Sequence, residues 1–211
     1  SRILREQVSI NGPTRKRIWK QIVQTKIREQ IVTLNLSGKD SIGIERMLGK
    51  VKAGDRENHE AQAAQRYWPL LMGKDFRRDP GSGGANAILN YGYSIFRALV
   101  ARALVAGGMH PSIGIHHHNQ YNGLALADDI MEPFRPWVDW KVCDLLVHQS
   151  NPQINRDIKQ ALLSLLTSEV IYKTQTLPLM VATHRLIADF RRTWGDRTAT
   201  LVYPRLKDRC I

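Results

Sequence analysis

The sequence of 211 residues contains only two cysteines, Cys143 and Cys210, which cannot form a disulfide framework or a cysteine-rich zinc site. No apolar run approaches the roughly 20 residues that a helix needs to cross a bilayer. The amino-terminal residues also lack the apolar stretch of a secretory signal. These absences exclude a disulfide-rich secreted protein and predict a cytoplasmic protein without a membrane partner.

Acidic residues are scarce as well. There are 19 Asp and Glu residues against 31 Lys and Arg residues, so the formal net charge is +12. A surplus of this size favours a polyanionic partner, and nucleic acid is the first candidate. Because many basic domains bind nucleic acid without changing its backbone, charge alone does not separate an enzyme from a binding module.

The spacing of apolar residues predicts an all-α, mainly helical fold in one domain covering 1–211. The chain is 43% hydrophobic and long enough to bury a full core. We expect a start or linker over 1–12, a core over 13–195 and an irregular tail over 196–211. A charged, glycine-rich loop is predicted over 74–84 and a short extended segment near 110–124. Besides the carboxylate helix described below, helices are predicted over about 12–38, 41–52, 56–71, 86–106, 154–172 and 177–194.

The first of these predicted helices carries a row of basic residues between Arg15 and Lys26. Its apolar positions follow helical spacing, so the basic residues are expected on the opposite face. We interpret Lys26 and its neighbours as a solvated face that also suits contact with phosphate.

An imidazole cluster precedes a group of carboxylates in the middle of the chain. Three consecutive histidines at 116–118 are followed by Asp128, Asp129 and Glu132. Residues three or four apart share one face of a helix, so both aspartates lie on the face of Glu132. Carboxylates that repel one another need a cation, and imidazole with carboxylate oxygen is a common ligand set for a divalent ion. Pro133 disturbs the helix directly after Glu132. The stretch therefore predicts a metal site.

A further carboxylate, Glu60, lies in the predicted helix over 56–71. Ala61, Ala63 and Ala64 follow it, and their small side chains allow another backbone to approach closely. A lone glutamate on a helix is usually an exposed surface residue. Glu60 becomes a candidate ligand only through the wider pattern in which it lies.

Five segments of the chain, in order, resemble the CRISPR-associated integrase family, the nuclease of the spacer-acquisition machinery. The resemblance runs from about Pro13 to Ala188. The long loop between the histidines and Glu132 and the MEPFRP ending from Met131 are most similar to the versions from type II systems. The five segments are PTRKRIWKQIV from Pro13, the stretch from Glu60 to Trp68, NAILNYGY from Asn86, HPSIGIHH from His110, and ADDIMEPFRP from Ala127.

The resemblance implies that Glu60, His117 and Glu132 are the catalytic residues and hold a Mg²⁺ or Mn²⁺ ion. His117 matches as the fourth residue of the Gly-x-x-His element that begins at Gly114. The residues alone leave the choice within the triplet open, because an extended strand places His117 on one side and its two neighbours on the other. The candidate supporting residues are Asp129, which is also a candidate second ligand, His116 and Asn90.

The resemblance also implies an activity and its partners. Members of the family insert foreign DNA fragments as spacers into a CRISPR repeat array by phosphodiester transesterification. The implied partners are double-stranded DNA, as prespacer and repeat, a small ferredoxin-like adaptation protein, and a second copy in the full-length protein. The family also has an N-terminal β-rich domain, which mediates dimerisation, and the resemblance implies that the given sequence covers only the helical catalytic domain. The candidate DNA-binding residues are Arg66, Arg77, Arg78 and Arg135.

Two other functions are open from the sequence. A non-catalytic DNA-binding module would need the basic surface but no metal ligands, and binding that survives EDTA without nicking would favour it. A mobile-element DNA integrase would share the catalytic domain and its chemistry. A neighbouring repeat array and a gene for the adaptation partner would favour the CRISPR function.

Overall fold

A computed structural model describes residues 2–147 and 152–207, most of which lie in helices. The α-helices are α1 (Arg2–Val8), α2 (Gly12–Leu36), α3 (Ile42–Leu48), α4 (His59–Met72), α5 (Ala85–Ala106), α6 (Ala125–Met131), α7 (Arg135–Leu146), α8 (Arg156–Ser164) and α9 (Leu179–Arg192). The strands β1 (Glu169–Tyr172), β2 (Gln175–Pro178) and β3 (Arg205–Leu206) form an antiparallel sheet in the order β2-β1-β3. The predicted mainly helical fold is confirmed.

The longest helix, α2, begins and ends where its local sequence predicts. The Asn11 side chain accepts a hydrogen bond of 2.9 Å from the Thr14 amide, and Pro13 occupies the first turn, where a missing N–H costs nothing. The buried face carries Ile18, Ile22 and other apolar residues that are fully shielded from solvent. Each such side chain contributes about 1.5–3 kcal/mol through its burial.

Two long helices hold the carboxylate segment between them. Helix α5 packs against α6, and α2 packs against the 3₁₀ turn Glu132–Phe134 that joins α6 to α7. Phe134 is fully buried in this turn. The backbone on which the candidate ligands lie is therefore fixed from both sides by the core.

The segment expected to be extended near 110–124 does not form a strand in the described structure. Its residues form turns and bends separated by irregular backbone. Their backbone N–H groups find a partner in the buried carboxylate of Asp129 instead of a neighbouring strand, as described below. A carboxylate therefore replaces the sheet ladder that an extended segment would need.

The C-terminal elements also differ from the prediction. The helix expected over 154–172 ends at Ser164, and strand β1 occupies its last residues. Val170 and Tyr172 alternate inward along β1. Such a short apolar run fits a strand as well as a helix, and pairing with β2 and β3 favours the strand.

The ends of the chain are more ordered than expected. Residues of the predicted start form α1, and Gln7 donates hydrogen bonds to the carbonyls of His110 and Ile113. In the predicted tail, Leu201 and Tyr203 are buried against the core. Residues 208–211 of that tail, with Cys210, lie outside the described residues. No helix in the described part of the chain combines the length and apolar character that crossing a lipid bilayer requires.

Candidate metal centre

Glu60 and Glu132 meet at the ammonium group of Lys26. Lys26 Nζ lies 2.6 Å from Glu60 Oε1 and 2.5 Å from Glu132 Oε2. Lys26 lies on α2, Glu60 on α4 and Glu132 in the turn after α6. The exposed fraction of the side chain is 12% for Lys26, 23% for Glu60 and 7% for Glu132. Buried charges persist only when they are paired. The position between the two glutamates is therefore built for a cation.

A second cation, Arg135, completes the charge balance around Glu132. Its Nε lies 2.7 Å from Glu132 Oε1. Burial raises the pKa of the Glu132 carboxyl, but the charges of Arg135 and Lys26 outweigh it and lower this pKa to about 2. For Lys26, burial lowers the pKa, but Glu132 and Glu60 outweigh this and raise it. Both Glu132 and Lys26 are thus charged at neutral pH.

Asp129 orients His117 and closes the loop on which it lies. Asp129 is fully buried, and its Oδ1 lies 2.5 Å from His117 Nδ1. Its Oδ2 accepts hydrogen bonds from the backbone amides of Ile115 at 2.6 Å and His116 at 2.9 Å. The bond to Asp129 raises the pKa of the His117 imidazole. A carboxylate that holds one ring nitrogen leaves the other, Nε2, available as a ligand atom.

The neighbouring histidine is directed elsewhere. The His116 ring stacks on Trp19 of α2 with the ring centroids 4.1 Å apart and the planes 2° from parallel. Burial lowers the pKa of His116. Gly114 allows the loop to close, because a Cβ there would lie 2.3 Å from the carbonyl oxygen of His117 and 3.0 Å from Asp129 Oδ2. His118 is exposed.

His117 and Glu132 line one cavity of about 390 Å³. Glu60 is not part of the cavity wall, and it is linked to Glu132 through the ammonium group of Lys26. The other polar residues of its wall are mainly basic or amide side chains, and they include Arg78, Asn90, Arg97 and Arg135. The carboxylates of Glu132 and Asp128 and the arginines line the same cavity, a combination that suits a cation together with a phosphate group.

Several predicted residues have structural partners that define their position. Asn90 accepts a hydrogen bond from Arg78 at 2.5 Å and so ties the loop after α4 to α5. Asp128, which the helical spacing placed beside Glu132, pairs instead with Arg97 at 2.7 Å. Arg66 lies away from the cavity wall, on α4, where it contacts the carbonyl of Gly43.

The donor atoms of the three candidate ligands suit a divalent ion, but in this structure they do not share one coordination sphere. No group of three or more His, Cys, Asp or Glu side chains in the described ranges is arranged to hold a metal ion. The physical reason is the Lys26 ammonium, which stands between the two glutamates. Glu132 and His117 nevertheless line one cavity, and Glu60 lies on the other side of the Lys26 ammonium from Glu132. Two carboxylates and an imidazole nitrogen are a set that divalent ions accept.

Lys26 is the site residue that the sequence prediction placed wrongly, on a solvated face. It lies four positions after Ile22 and three after Val23, both of which are fully buried. Residues with that spacing share a helix face, so the pattern already places Lys26 toward the core. A lysine on a buried helix face requires carboxylate partners. This requirement could have identified Lys26 as a site residue from the sequence.

A buried aspartate lies behind the site and was also not anticipated. Asp139 of α7 accepts hydrogen bonds from the hydroxyls of Tyr67, at 3.1 Å, and Tyr93. The Arg135 guanidinium lies over the Tyr93 ring, 4.6 Å from its centroid. Burial raises the pKa of the Asp139 carboxyl to about 7. Arg135 thus contacts both Glu132 and this buried cluster.

We expect Asp139 to make the protein less stable as the pH rises from 5 to 7. In this window the folded state holds a proton that the unfolded state, with the ordinary pKa of 3.8, has released. The free energy of unfolding therefore falls with pH and levels off above about 7. Asp139→Asn is neutral throughout, so the stability advantage of the wild type over this variant should be smaller at pH 8 than at pH 5. Urea denaturation at both pH values measures it, and a constant difference would contradict the raised pKa.

The fold and the site together define a basic, mainly helical domain in which two glutamates share a lysine and a histidine lies with one of them in an arginine-lined cavity. Comparison with known proteins narrows this class. The family described as CRISPR associated protein Cas1 matches residues 1–168. The chain therefore belongs to the Cas1 family.

Individual relatives agree with this assignment. The CRISPR-associated endonuclease Cas1 of Neisseria meningitidis serogroup C (strain 8013) is 33% identical over 201 residues, covering 94% of this chain and 66% of the relative. A casposase bound to its integration product has a TM-score of 0.78 at 19% identity, covering 95% of this chain and 71% of that chain. A partial Cas6-RT-Cas1–Cas2 complex has a TM-score of 0.77 at 18% identity, covering 97% and 73%. The chain thus spans just under two thirds of the meningococcal relative.

Proposed function

We propose that this chain is the catalytic part of a metal-dependent DNA integrase and endonuclease that joins DNA fragments, as spacers, to a CRISPR repeat array. The observation that carries the proposal is the convergence of Glu60 and Glu132 on one cation beside His117. Membership of the Cas1 family supports the substrate and the reaction class.

Glu60, His117 and Glu132 would hold the divalent ion, Mg²⁺ or Mn²⁺. When bound, the ion would stabilise charge on the attacking and leaving oxygens of an in-line displacement at phosphorus. The mixed nitrogen and oxygen donors favour Mn²⁺, since Mg²⁺ prefers oxygen alone. Asp129 keeps the His117 ring in one tautomer and orientation, because it accepts the Nδ1 proton.

The arginines of the cavity wall would neutralise the scissile phosphate. Arg135 is held by Glu132 and by the Tyr93 ring, so its guanidinium is already oriented toward the cavity. Arg78 is held by Asn86 and Asn90 in the same way. Prepositioned charges of this kind cost no reorganisation when the phosphate binds. If the attacker is the 3′-hydroxyl of a DNA fragment, the product is a joint, and if it is water, the product is a nick.

We propose double-stranded DNA and a Cas2-like, small ferredoxin-like protein as partners, and a homodimer for the full-length protein in the cytoplasm. The solved structures of similar fold include one with an integration product and one that contains Cas2. The mobile-element alternative is less favoured, since the meningococcal relative at 33% identity is a Cas1 protein while the casposase shares 19%.

The decisive test is a strand-transfer assay with the full-length protein and its Cas2-like partner on a supercoiled plasmid that carries the repeat. With Mn²⁺ or Mg²⁺ we expect labelled fragments to be joined to the repeat, and EDTA should abolish the product. DNA binding that continues in EDTA, with no joining or nicking under any divalent ion, would overturn the proposal in favour of a binding module.

Replacing Arg77 with alanine should reduce the salt dependence of duplex binding by about one phosphate contact, a slope change of about 0.9. Arg77 is exposed, and its contact with the Lys74 carbonyl is long at 3.5 Å. Its guanidinium is therefore accessible to a DNA backbone. Binding measured by fluorescence anisotropy at four salt concentrations gives the slope.

Arg102→Ala is the matched control, because Arg102 is an exposed arginine on α5 outside the cavity wall. Equal slopes for Arg77→Ala, Arg102→Ala and the wild type would assign Arg77 to solvent. Arg78→Ala is a poorer probe, since it also removes the bonds to Asn86 and Asn90 that tie the loop to α5.

A further inference from the structure

Two side chains from the first fifteen residues hold the backbone of residues 110–114, directly before the histidine triplet. Gln7 lies on α1 and Arg15 lies on α2. Both bond backbone groups that lie 99 to 106 residues further along the chain. These contacts connect the two helices to the loop that carries the candidate ligand His117.

Gln7 forms three hydrogen bonds with this segment. Its Nε2 donates to the carbonyl of His110 at 2.8 Å and to the carbonyl of Ile113 at 3.2 Å, and its Oε1 accepts from the His110 amide at 2.8 Å. Gln7 is only 1% exposed, so its side-chain amide is committed to the segment and not to water. Because backbone N–H and C=O groups need partners, one glutamine fixes both ends of the turn from His110 to Ile113.

Arg15 continues this bonding at the next residue. Its Nη1 donates to the carbonyl of Gly114 at 3.0 Å, and its Nε donates to the carbonyl of Ile10 at 3.0 Å. Two nitrogens of a guanidinium that the sequence placed on a phosphate-contacting face are therefore bonded to the protein backbone. Arg15 links the connection between α1 and α2 to a glycine three residues before His117.

The support from which Gln7 acts is itself fixed to the core. Glu6 of α1 pairs with Arg191 of α9 at 2.8 Å. On the same helix, Ile3 packs closely on the backbone after α5, because a Cβ at Gly108 would lie 3.1 Å from its Cδ1. The position of α1 is thus set by α5 and α9, and Gln7 transmits that position to residues 110–113.

The placement of His117 depends on its backbone. Its side chain is 46% exposed, so packing restrains the ring on only part of its surface. The buried Asp129 bonds the ring and the amides of Ile115 and His116. Asp129 therefore holds the loop from Ile115 onward, whereas the backbone up to Gly114 is held from α1 and α2.

We infer that Gln7 and Arg15 are positioning residues that keep His117 where its Nε2 can bind the divalent ion. The inference rests on the proposed metal-dependent function. The groups of a metal site must be held within about 0.5 Å of their working positions, and the side chains that hold them are part of the site. Both residues act through the main chain of 110–114, and neither contacts the ion. Loss of such outer partners typically weakens metal binding by about 10- to 100-fold.

The test is a titration of the full-length protein with Mn²⁺ in the absence of DNA, followed by electron paramagnetic resonance. The signal of free Mn²⁺ gives the affinity, and pulsed measurements detect the coupling of bound Mn²⁺ to an imidazole ¹⁴N. Gln7→Met and Arg15→Met should each weaken binding by about 10- to 100-fold and lower the fraction of bound Mn²⁺ that shows the coupling. Gln7→Glu keeps the acceptor for the His110 amide and Arg15→Lys keeps one donor, so both should lose less.

Arg17→Met and Gln21→Met are the matched controls on α2. Arg17 donates to backbone carbonyls of Thr193 and Arg197, and Gln21 accepts from the Leu201 amide at 2.7 Å. They remove the same kinds of bond, but from the segment that follows α9. We expect both controls to keep the Mn²⁺ affinity and the ¹⁴N coupling of the wild type. Thermal unfolding without Mn²⁺ shows how much each variant loses in stability.

Several outcomes would overturn the inference. One is that Gln7→Met and Arg15→Met fold and bind Mn²⁺ as tightly as the wild type. Another is that the two controls weaken binding by the same factor, which would reduce the effect to a general loss of stability. If none of the four variants at Gln7 and Arg15 folds while the controls do, the two residues serve folding and not the placement of His117.

These outcomes are separable from failure of the proposed function. Unchanged Mn²⁺ binding in the variants together with working strand transfer would remove the positioning role alone. Weakened binding in the variants without any strand transfer by the wild type would retain the positioning role and remove the proposed reaction. If His117→Ala does not alter the ¹⁴N coupling of the wild type, His117 is no ligand and the positioning role is also overturned.

Discussion

Replacing His117 with alanine is expected to reduce metal-dependent joining and nicking of DNA by more than about 100-fold. Loss of a residue that only orients a metal ligand typically costs 10- to 100-fold, so loss of the ligand itself should cost more. The fold should be retained, because 46% of the His117 side-chain surface is exposed and the ring contributes little to the core. Plasmid strand transfer and nicking measure the activity, and thermal unfolding measures the fold.

The neighbouring histidines provide the controls for this prediction. His118→Ala should change activity only slightly, since His118 does not line the cavity that His117 shares with Glu132. His116→Ala should have a moderate effect, because it removes the stacking on Trp19 that supports the loop. Equal losses for His117→Ala and His118→Ala would show that the ligand has been assigned to the wrong position of the triplet.

Replacing Lys26 with methionine is expected to lower the free energy of unfolding by about 3–5 kcal/mol when no divalent ion is present, the usual cost of removing one partner of a buried ion pair. The variant leaves Glu60 and Glu132 close together, with only Arg135 bonded to one of them. A divalent ion between the glutamates would replace the lost charge, so Mn²⁺ should restore much of the stability. Urea denaturation with and without Mn²⁺ measures both effects.

Lys20→Met is the matched control, since Lys20 lies on the same helix and forms no ion pair with either glutamate in the described part of the chain. It changes the net charge by the same amount. We expect Mn²⁺ to stabilise Lys26→Met more than the wild type and Lys20→Met. If Mn²⁺ stabilises all three proteins equally, the two glutamates do not share a divalent ion. A small effect of Lys26→Met without Mn²⁺ would mean that the ammonium is not needed to balance them.

Much of the helical framework was predictable because its signals are local. The start of α2 follows from Asn11 and Pro13, and its length follows from apolar residues at helical spacing. The end of α5 follows from Gly107 in the same manner. Strand β1 was not predictable, because four residues carry too little periodicity and one of its two partners, β3, lies on a distant segment beyond α9.

The residue types of the candidate centre were also visible in the sequence, but their roles were not. Spacing alone placed Asp128, Asp129 and Glu132 on one helix face. In the folded chain each has a different partner, because α6 ends at Met131 and a 3₁₀ turn follows. Asp128 pairs with Arg97, Asp129 with the histidine loop and Glu132 with Lys26.

Lys26 is the clearest case in which the neighbouring sequence predicts the helix but not the contacts of a side chain on it. Its position in α2 was predictable to the residue, yet its charge is balanced by Glu60 and Glu132, which lie 34 and 106 residues further along the chain. Helix formation depends on neighbours within about four residues, so α2 could be identified from its own segment. Whether a charge on that helix faces water or a carboxylate depends on which distant segments pack against it. That packing brings α2, α4 and the turn after α6 together, and it creates the candidate metal centre.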